Sequence, residues 1–216
     1  MSLSKAQVAA MIDHTLLAPE ATADDVRRTC ADAIEFSVAA VCVSPIMVGV
    51  AVEAVAGRLP VASVVGFPSG AHLAEAKALE ARRAGEEGAR EIDMVISLRL
   101  AKEGKWTELE DEVATVRAST TGLLKVIIES AALTNDEIVR ACTAAVQGGA
   151  EFVKTSTGFH QSGGASLEAV RLMRQTVGER IGVKASGGVR TWDAAVSMVE
   201  AGANRIGTSS TRAILA

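Results

Sequence analysis

Tyrosine is absent from the 216 residues, and the other aromatics come to four phenylalanines and two tryptophans. Binding of nucleic acid by base stacking therefore has little to work with. The balance of 22 Lys and Arg against 26 Asp and Glu also leaves no basic face for a phosphate backbone. Cysteine is scarce: Cys30, Cys42 and Cys142 lie far apart and form no C-x-x-C pair, which argues against a disulfide framework or a zinc cluster. Long apolar runs are missing too. No stretch approaches the ~20 residues that span a bilayer, and the first fifteen residues lack the layout of a signal peptide. A reducing cytoplasm is the expected compartment, with neither membrane nor nucleic acid as a partner.

What is present is aliphatic. Hydrophobic residues make up 49% of the chain and alanine alone fills 39 positions, so a sizeable core is available and disorder is excluded. Short β-branched runs alternate with alanine-rich helical stretches along the whole length. The spacing predicts strands at His14–Leu17, Ala39–Val43, Val61–Val65, Glu91–Ile96, Leu123–Ile128, Phe152–Lys154, Gly182–Lys184 and Arg205–Ile206. Helix starts are marked by Thr22 with Asp25 and by Thr134 with Glu137 at capping-box spacing, by Ser44-Pro45, and by Thr191 ahead of Trp192–Ala201. Three junctions look alike, at Gly88, Gly149 and Gly202. In each a glycine should end a helix in a left-handed conformation, with a strand two residues later. About eight β/α units with no linker between them read as one (β/α)₈ barrel over residues 1–216, a closed parallel sheet. A doubly wound sheet is the runner-up, but no G-x-G-x-x-G follows the first strand.

Barrel enzymes place their chemistry at the C-terminal ends of the strands. Those ends are Cys42, Asp93, Glu129, Lys154 and Lys184. One charge there could be a solvated strand end, but two lysines and an aspartate converging on one mouth point to a site. At an effective dielectric of about 20 and about 6 Å apart, two ammonium groups repel by roughly 2.8 kcal/mol, enough to bring one lysine from ~10.4 towards ~8. A partly neutral amine attacks carbonyls to form an imine. The other lysine stays cationic and can move protons, and Asp93 can serve as acid and base. Lys125, near the start of its strand, reads as structural. Cys42 either lines the site or is a small buried hydrophobe. The three histidines, His14, His72 and His160, show no metal-binding spacing, and no G-x-S-x-G elbow is present.

The loops after the last three strands hold a second pattern. Thr155-Ser156-Thr157-Gly158, Ser186-Gly187-Gly188 and Gly207-Thr208-Ser209-Ser210 offer small residues whose backbone N–H groups can be approached closely. Phosphate sites in this fold often lie after strands seven and eight. A phosphate-bearing ligand is expected.

These stretches, with Ile12-Asp13-His14-Thr15, Val41-Cys42-Val43-Ser44-Pro45, Val65-Gly66-Phe67-Pro68-Ser69-Gly70 and Glu91-Ile92-Asp93-Met94, resemble the deoxyribose-phosphate aldolase family of class I aldolases, in family order over nearly the whole chain. The resemblance implies reversible retro-aldol cleavage of 2-deoxy-D-ribose 5-phosphate to D-glyceraldehyde 3-phosphate and acetaldehyde. It implies that Lys154 forms the Schiff base, that Lys184 lowers its pKa and shares in proton transfer, and that Asp93 is the catalytic carboxylate. Asp13 matches a polar residue at the same mouth, and Thr157, Gly158, Gly187, Gly188, Ser209 and Ser210 match the phosphate loops. The imine is itself the electron sink, so no metal and no cofactor are implied. Two readings remain beside this one: a related Schiff-base aldolase for another phosphorylated aldehyde, and a sugar-phosphate-binding barrel without turnover. Association with further copies of the chain is left open.

Some positions depart from the family pattern. Ser97-Leu98-Arg99 follows Ile96 where Asn and a nearby Gly are usual, Ser130-Ala131-Ala132 replaces a Thr-initiated stretch, and Thr211 stands where glycine is common. Some members also carry a C-terminal tyrosine that reaches the site. With no tyrosine here, proton transfer is expected to rest on Asp93, Lys184 and bound water.

Overall fold

In the computed structural model, which describes residues 3–216, eight parallel strands pair in chain order and close on themselves. They are β1 (Ile12–Leu16), β2 (Ala40–Val43), β3 (Val61–Val65), β4 (Glu91–Val95), β5 (Leu123–Ile127), β6 (Phe152–Lys154), β7 (Gly182–Ser186) and β8 (Arg205–Thr208). The barrel expected from the sequence is therefore the fold. Around it run α1 (Lys5–Ala9), α2 (Ala23–Glu35), α3 (Val48–Val55), α4 (Ala74–Glu86), α5 (Leu98–Lys102), α6 (Trp106–Arg117), α7 (Asn135–Gln147), α8 (Leu167–Val177), α9 (Trp192–Glu200) and α10 (Thr211–Leu215). Among the described residues no helix is long and apolar enough to cross a membrane.

The strands alternate between two environments, as a period of two requires. Outward side chains such as Val41, Ile92, Met94, Val126, Val153 and Ile206 join the main core with the inner faces of the helices. On α6, Leu109, Val113 and Val116 are fully buried in that layer, each contributing about 1.5–3 kcal/mol relative to exposure. Inside the barrel, Cys42, Ala62 and Val64 form a separate small apolar cluster on β2 and β3. The other strands also carry charged side chains into the interior, Asp13, Glu91, Asp93, Lys125, Lys154, Lys184 and Arg205.

Local signals positioned most of the frame. Thr22 and Thr134 close complete capping boxes with Asp25 and Glu137, and Thr191 caps α9 through the N–H of Ala194. Ser44 departs from its expectation: it makes no side-chain cap, and the turn at Pro45–Met47 is 3₁₀. At the three glycine junctions φ is 106°, 96° and 113°. Each is closed by the same hydrogen bond, from Ala89 to Ala84, Ala150 to Ala145 and Ala203 to Met198, the 6→1 pattern of a Schellman ending. The strands there open at Glu91, Phe152 and Arg205, the starts expected for them.

Three strand boundaries moved by two residues and four by one. β1 starts at Ile12, two residues before the expected start, while β7 and β8 run on to Ser186 and Thr208. Polar residues sit at each of these places, and pairing, not hydrophobicity, holds them: Asp13 is in register with Ala40 and Gly207, and Ser186 with Gly207. The departures at Ser97 and Thr211 also find a place. Ser97 leads into α5, its N–H bound to the buried Glu112 at 2.8 Å, and Arg99 pairs with Glu103 on the surface. Thr211 is buried and bonds His14 Nδ1 at 2.8 Å through its hydroxyl.

Candidate active site

Inward positions on six strands bring charged side chains to one place. Asp93 on β4 is at its centre. Its Oδ2 accepts from Lys154 Nζ on β6 at 2.8 Å and from Lys184 Nζ on β7 at 2.7 Å. Its Oδ1 accepts from Lys125 Nζ on β5 at 2.7 Å. Lys184 also binds Asp13 of β1, and Asp13 holds Arg205 of β8 at 2.8 Å. Glycines make room for these long side chains. A Cβ at Gly207 would stand 3.0 Å from Lys184 Cε, and one at Gly182 would fall 2.1 Å from the Phe152 ring, over which the Arg205 guanidinium lies at 5.6 Å.

Above the cluster opens a cavity of about 600 Å³. Thr157, Gly158, Gly187, Gly188, Ser209 and Ser210 all line it, and so does Lys154. Lys184 and Lys125 do not: each is 0% exposed against 3% for Lys154, so among the described lysines Lys154 alone meets the cavity. Asp13, expected at the mouth, lies one layer lower and is fully buried. Cys42 is likewise sealed below the cavity, and burial pushes its thiol up to about 11, so it is a neutral hydrophobe at ordinary pH.

The electrostatics separate the lysines. Burial holds the Lys154 ammonium below its ordinary pKa, opposed by Asp93 and helped by Lys184. Lys184 is pushed the other way: burial disfavours its charge, but Asp13 and Asp93 outweigh that and raise it. Lys125 is raised as well, by Asp93, Asp13 and Glu91 against burial. Asp93 lies well below the usual carboxylate range, since the three lysines overcome its desolvation. Repulsion between the lysines acts in the right direction on Lys154 but is not the leading cause. Desolvation comes first, and the repulsion from Lys184 is tempered because both ammonium groups share one carboxylate oxygen.

Sequence reasoning missed three members. Lys125, read as structural, reaches Asp93, Glu91 (2.6 Å) and Asp13 (3.5 Å). Arg205 starts a strand that carried no charge signal. Arg190, next to Gly187-Gly188-Val189, is the arginine that lines the cavity among the described residues. The register turns the first two inward, pairing Lys125 with Asp93 and Arg205 with Lys184, and spacing along the chain does not show it.

A family model described as DeoC/LacD family aldolase matches residues 7–216. The chain belongs to that family. Among its relatives, the deoxyribose-phosphate aldolase of Corynebacterium diphtheriae is 57% identical over 210 residues, covering 96% of this chain and 95% of the relative. That of Kocuria rhizophila is 54% identical over 215 residues, covering 99% and 97%. Of solved structures, the deoxyribose phosphate aldolase of Aeropyrum pernix, described as tetrameric, superposes with a TM-score of 0.88 at 33% identity, covering 98% of this chain and 91% of the other. The aldolase QR15 gives 0.92 at 38%, covering 96% and 94%. The cluster under the cavity is thus set in an aldolase frame from end to end.

Proposed function

We propose that this aldolase cleaves 2-deoxy-D-ribose 5-phosphate reversibly to D-glyceraldehyde 3-phosphate and acetaldehyde, with Lys154 as the imine-forming residue. The observation that carries the assignment is the accessible, desolvated amine of Lys154, held 2.8 Å from Asp93 at the floor of the cavity. The amine adds to the C1 aldehyde of the open-chain sugar, and water leaves as the protonated imine forms. Loss of the C3 hydroxyl proton breaks the C2–C3 bond. Its electron pair enters the imine to give an enamine, and glyceraldehyde 3-phosphate departs. A proton returned to C2 regenerates the imine, which water hydrolyses to acetaldehyde and free Lys154. Asp93 and Lys184, joined at 2.7 Å, hold and pass these protons together with water, as positioned acid–base groups do.

The phosphate end of the sugar is assigned to the loops of Thr157-Gly158, Gly187-Gly188 and Ser209-Ser210, with Arg190 as the cation. Glu129 prepares the first loop. It is buried, with φ of 53°, and its carboxylate accepts the Thr157 N–H and hydroxyl. The three free, buried cysteines are in keeping with a reducing cytoplasm. Self-association is supported by the tetrameric A. pernix relative and by Ile46 and Leu73, 83% and 76% exposed. Sedimentation at micromolar concentration checks it, and a monomer contradicts it.

Turnover of deoxyribose 5-phosphate measured beside other sugar phosphates tests the substrate. The expected result is preferred release of acetaldehyde from deoxyribose 5-phosphate. Preference for another phosphorylated aldehyde overturns the assignment, and binding without turnover of any of them reduces the chain to a sugar-phosphate binder.

A further inference from the structure

The barrel interior has an uneven charge count. Among the described residues it holds three carboxylates, Asp13, Glu91 and Asp93, against four cationic side chains, Lys125, Lys154, Lys184 and Arg205. The other strands do not alter the count: β3 carries no titratable side chain, and Cys42 on β2 is a neutral thiol. Glu129, beyond the end of β5, is turned to the Thr157 loop. Lys77 and Glu112 neutralise each other at 2.7 Å.

The connections say which cation is surplus. Arg205 reaches Asp13 at 2.8 Å and Glu91 at 3.6 Å. Lys125 donates to Asp93 Oδ1 at 2.7 Å, and its ammonium lies 2.6 Å from Glu91 Oε2, which accepts no hydrogen bond, and 3.5 Å from Asp13. Lys184 has Asp13 as well as Asp93. Lys154 has only Asp93 Oδ2, which it shares with Lys184. Because Lys125 occupies Oδ1, neither Lys154 nor Lys184 has the whole Asp93 carboxylate to itself.

We propose that Lys125 is a positioning residue of the reaction: a fixed cation beneath Asp93 that, by occupying Oδ1, leaves Lys154 as the ammonium with the weakest counter-charge and so as the amine that is freed to attack. The proton that Lys154 loses passes to water through the cavity, and the interior is then balanced at three charges of each sign. Lys125 and Glu91 act as an opposed pair below the reacting atoms. Removing the cation makes the cluster more negative and holds the proton on Lys154; removing the anion does the reverse. The direction of shift at each lysine agrees with this order, lowered at Lys154 and raised at Lys125 and Lys184.

The proposal rests on Lys154 being the imine-forming residue, and one experiment separates the two claims. Trap the acetaldehyde imine with cyanoborohydride across a pH series and read the adduct on Lys154 by peptide mass spectrometry, in the parent protein and in Lys125→Met, Lys125→Arg and Glu91→Gln. Lys125→Met should move the midpoint of trapping alkaline by about two pH units, the size expected for one charge about 6 Å away at an effective dielectric of about 20. Glu91→Gln should move it acid, and Lys125→Arg should restore it. A midpoint unmoved in Lys125→Met, or moved the same way in both charge-removing variants, overturns the role of Lys125 while leaving Lys154 as the imine site. If Lys125→Met does not fold, the sign of the Glu91→Gln shift decides: an acid shift upholds the balance, and none overturns it. No adduct on Lys154 in the parent overturns the imine reading itself, and the role of Lys125 with it.

Discussion

Glu129 is bonded to Thr157 at two points, through the backbone N–H at 3.2 Å and through the hydroxyl at 2.6 Å. A carboxylate at the end of one strand thereby fixes the loop after the next, and that loop walls the cavity. Hydrogen bonds to a charged group contribute about 1.5–3 kcal/mol each. Glu129→Ala is expected to raise KM for deoxyribose 5-phosphate about tenfold or more, with a smaller effect on imine trapping of acetaldehyde, which carries no phosphate. Steady-state kinetics and trapping on the same preparations check this. An unchanged KM contradicts the loop's role.

Under the proposed phosphate assignment, Arg190, which lines the cavity, is the cation that meets the phosphate. Arg190→Gln should weaken use of deoxyribose 5-phosphate by about ten- to a hundredfold in kcat/KM, the loss of one charge-assisted contact of about 1.5–3 kcal/mol. Turnover of unphosphorylated 2-deoxyribose should be nearly unaffected. An equal loss on both sugars would show that Arg190 does not read the phosphate.

Acid stability should depend on Asp13. Lysines 184 and 125 and Arg205 outweigh its burial and lower its pKa from 3.8 to about 2. Because the folded value is depressed, its contribution is complete above the unfolded pKa near 3.8 and is lost as pH falls through about 2. The amount is roughly 2 kcal/mol. Urea unfolding at pH 5, 3 and 2 should show the parent losing stability across this window, and Asp13→Asn losing less, from a lower starting point. Equal slopes contradict the linkage.

The Lys77–Glu112 pair, 2.7 Å apart and buried, ties β4 to two helices: Lys77 also donates to Val95 O at 2.8 Å, and Glu112 accepts the Ser97 N–H. Removing one partner of such a pair leaves a buried charge alone. Lys77→Met should destabilise by about 3 kcal/mol, with Lys77→Met combined with Glu112→Leu recovering part of it. Denaturant midpoints check both variants. A double variant less stable than the single one contradicts the account.

The fold was legible because a barrel of parallel strands writes itself as short aliphatic runs between capped helices, and Val61–Val65 and Phe152–Lys154 lie where their hydrophobicity put them. Lys154, Lys184 and Asp93 stood out because charge is unexpected on a buried strand. Lys125 is equally buried, yet its place near a strand start reads as structural. Only the register, in which Asp93 pairs with Lys125, turns it toward the same carboxylate. Asp13 and Ser186 were hidden for a related reason: polar residues do not read as strand when the barrel interior is itself polar. The cause of the Lys154 shift was hidden too, because desolvation depends on what closes over the amine, and spacing along the chain does not show that.

The most direct test of the account is to incubate the protein with acetaldehyde or deoxyribose 5-phosphate, reduce with borohydride, and locate the product by peptide mass spectrometry. A stable two-carbon adduct on Lys154 is predicted, lost together with turnover in Lys154→Leu. An adduct confined to Lys125 or Lys184, or turnover retained in Lys154→Leu, would contradict it.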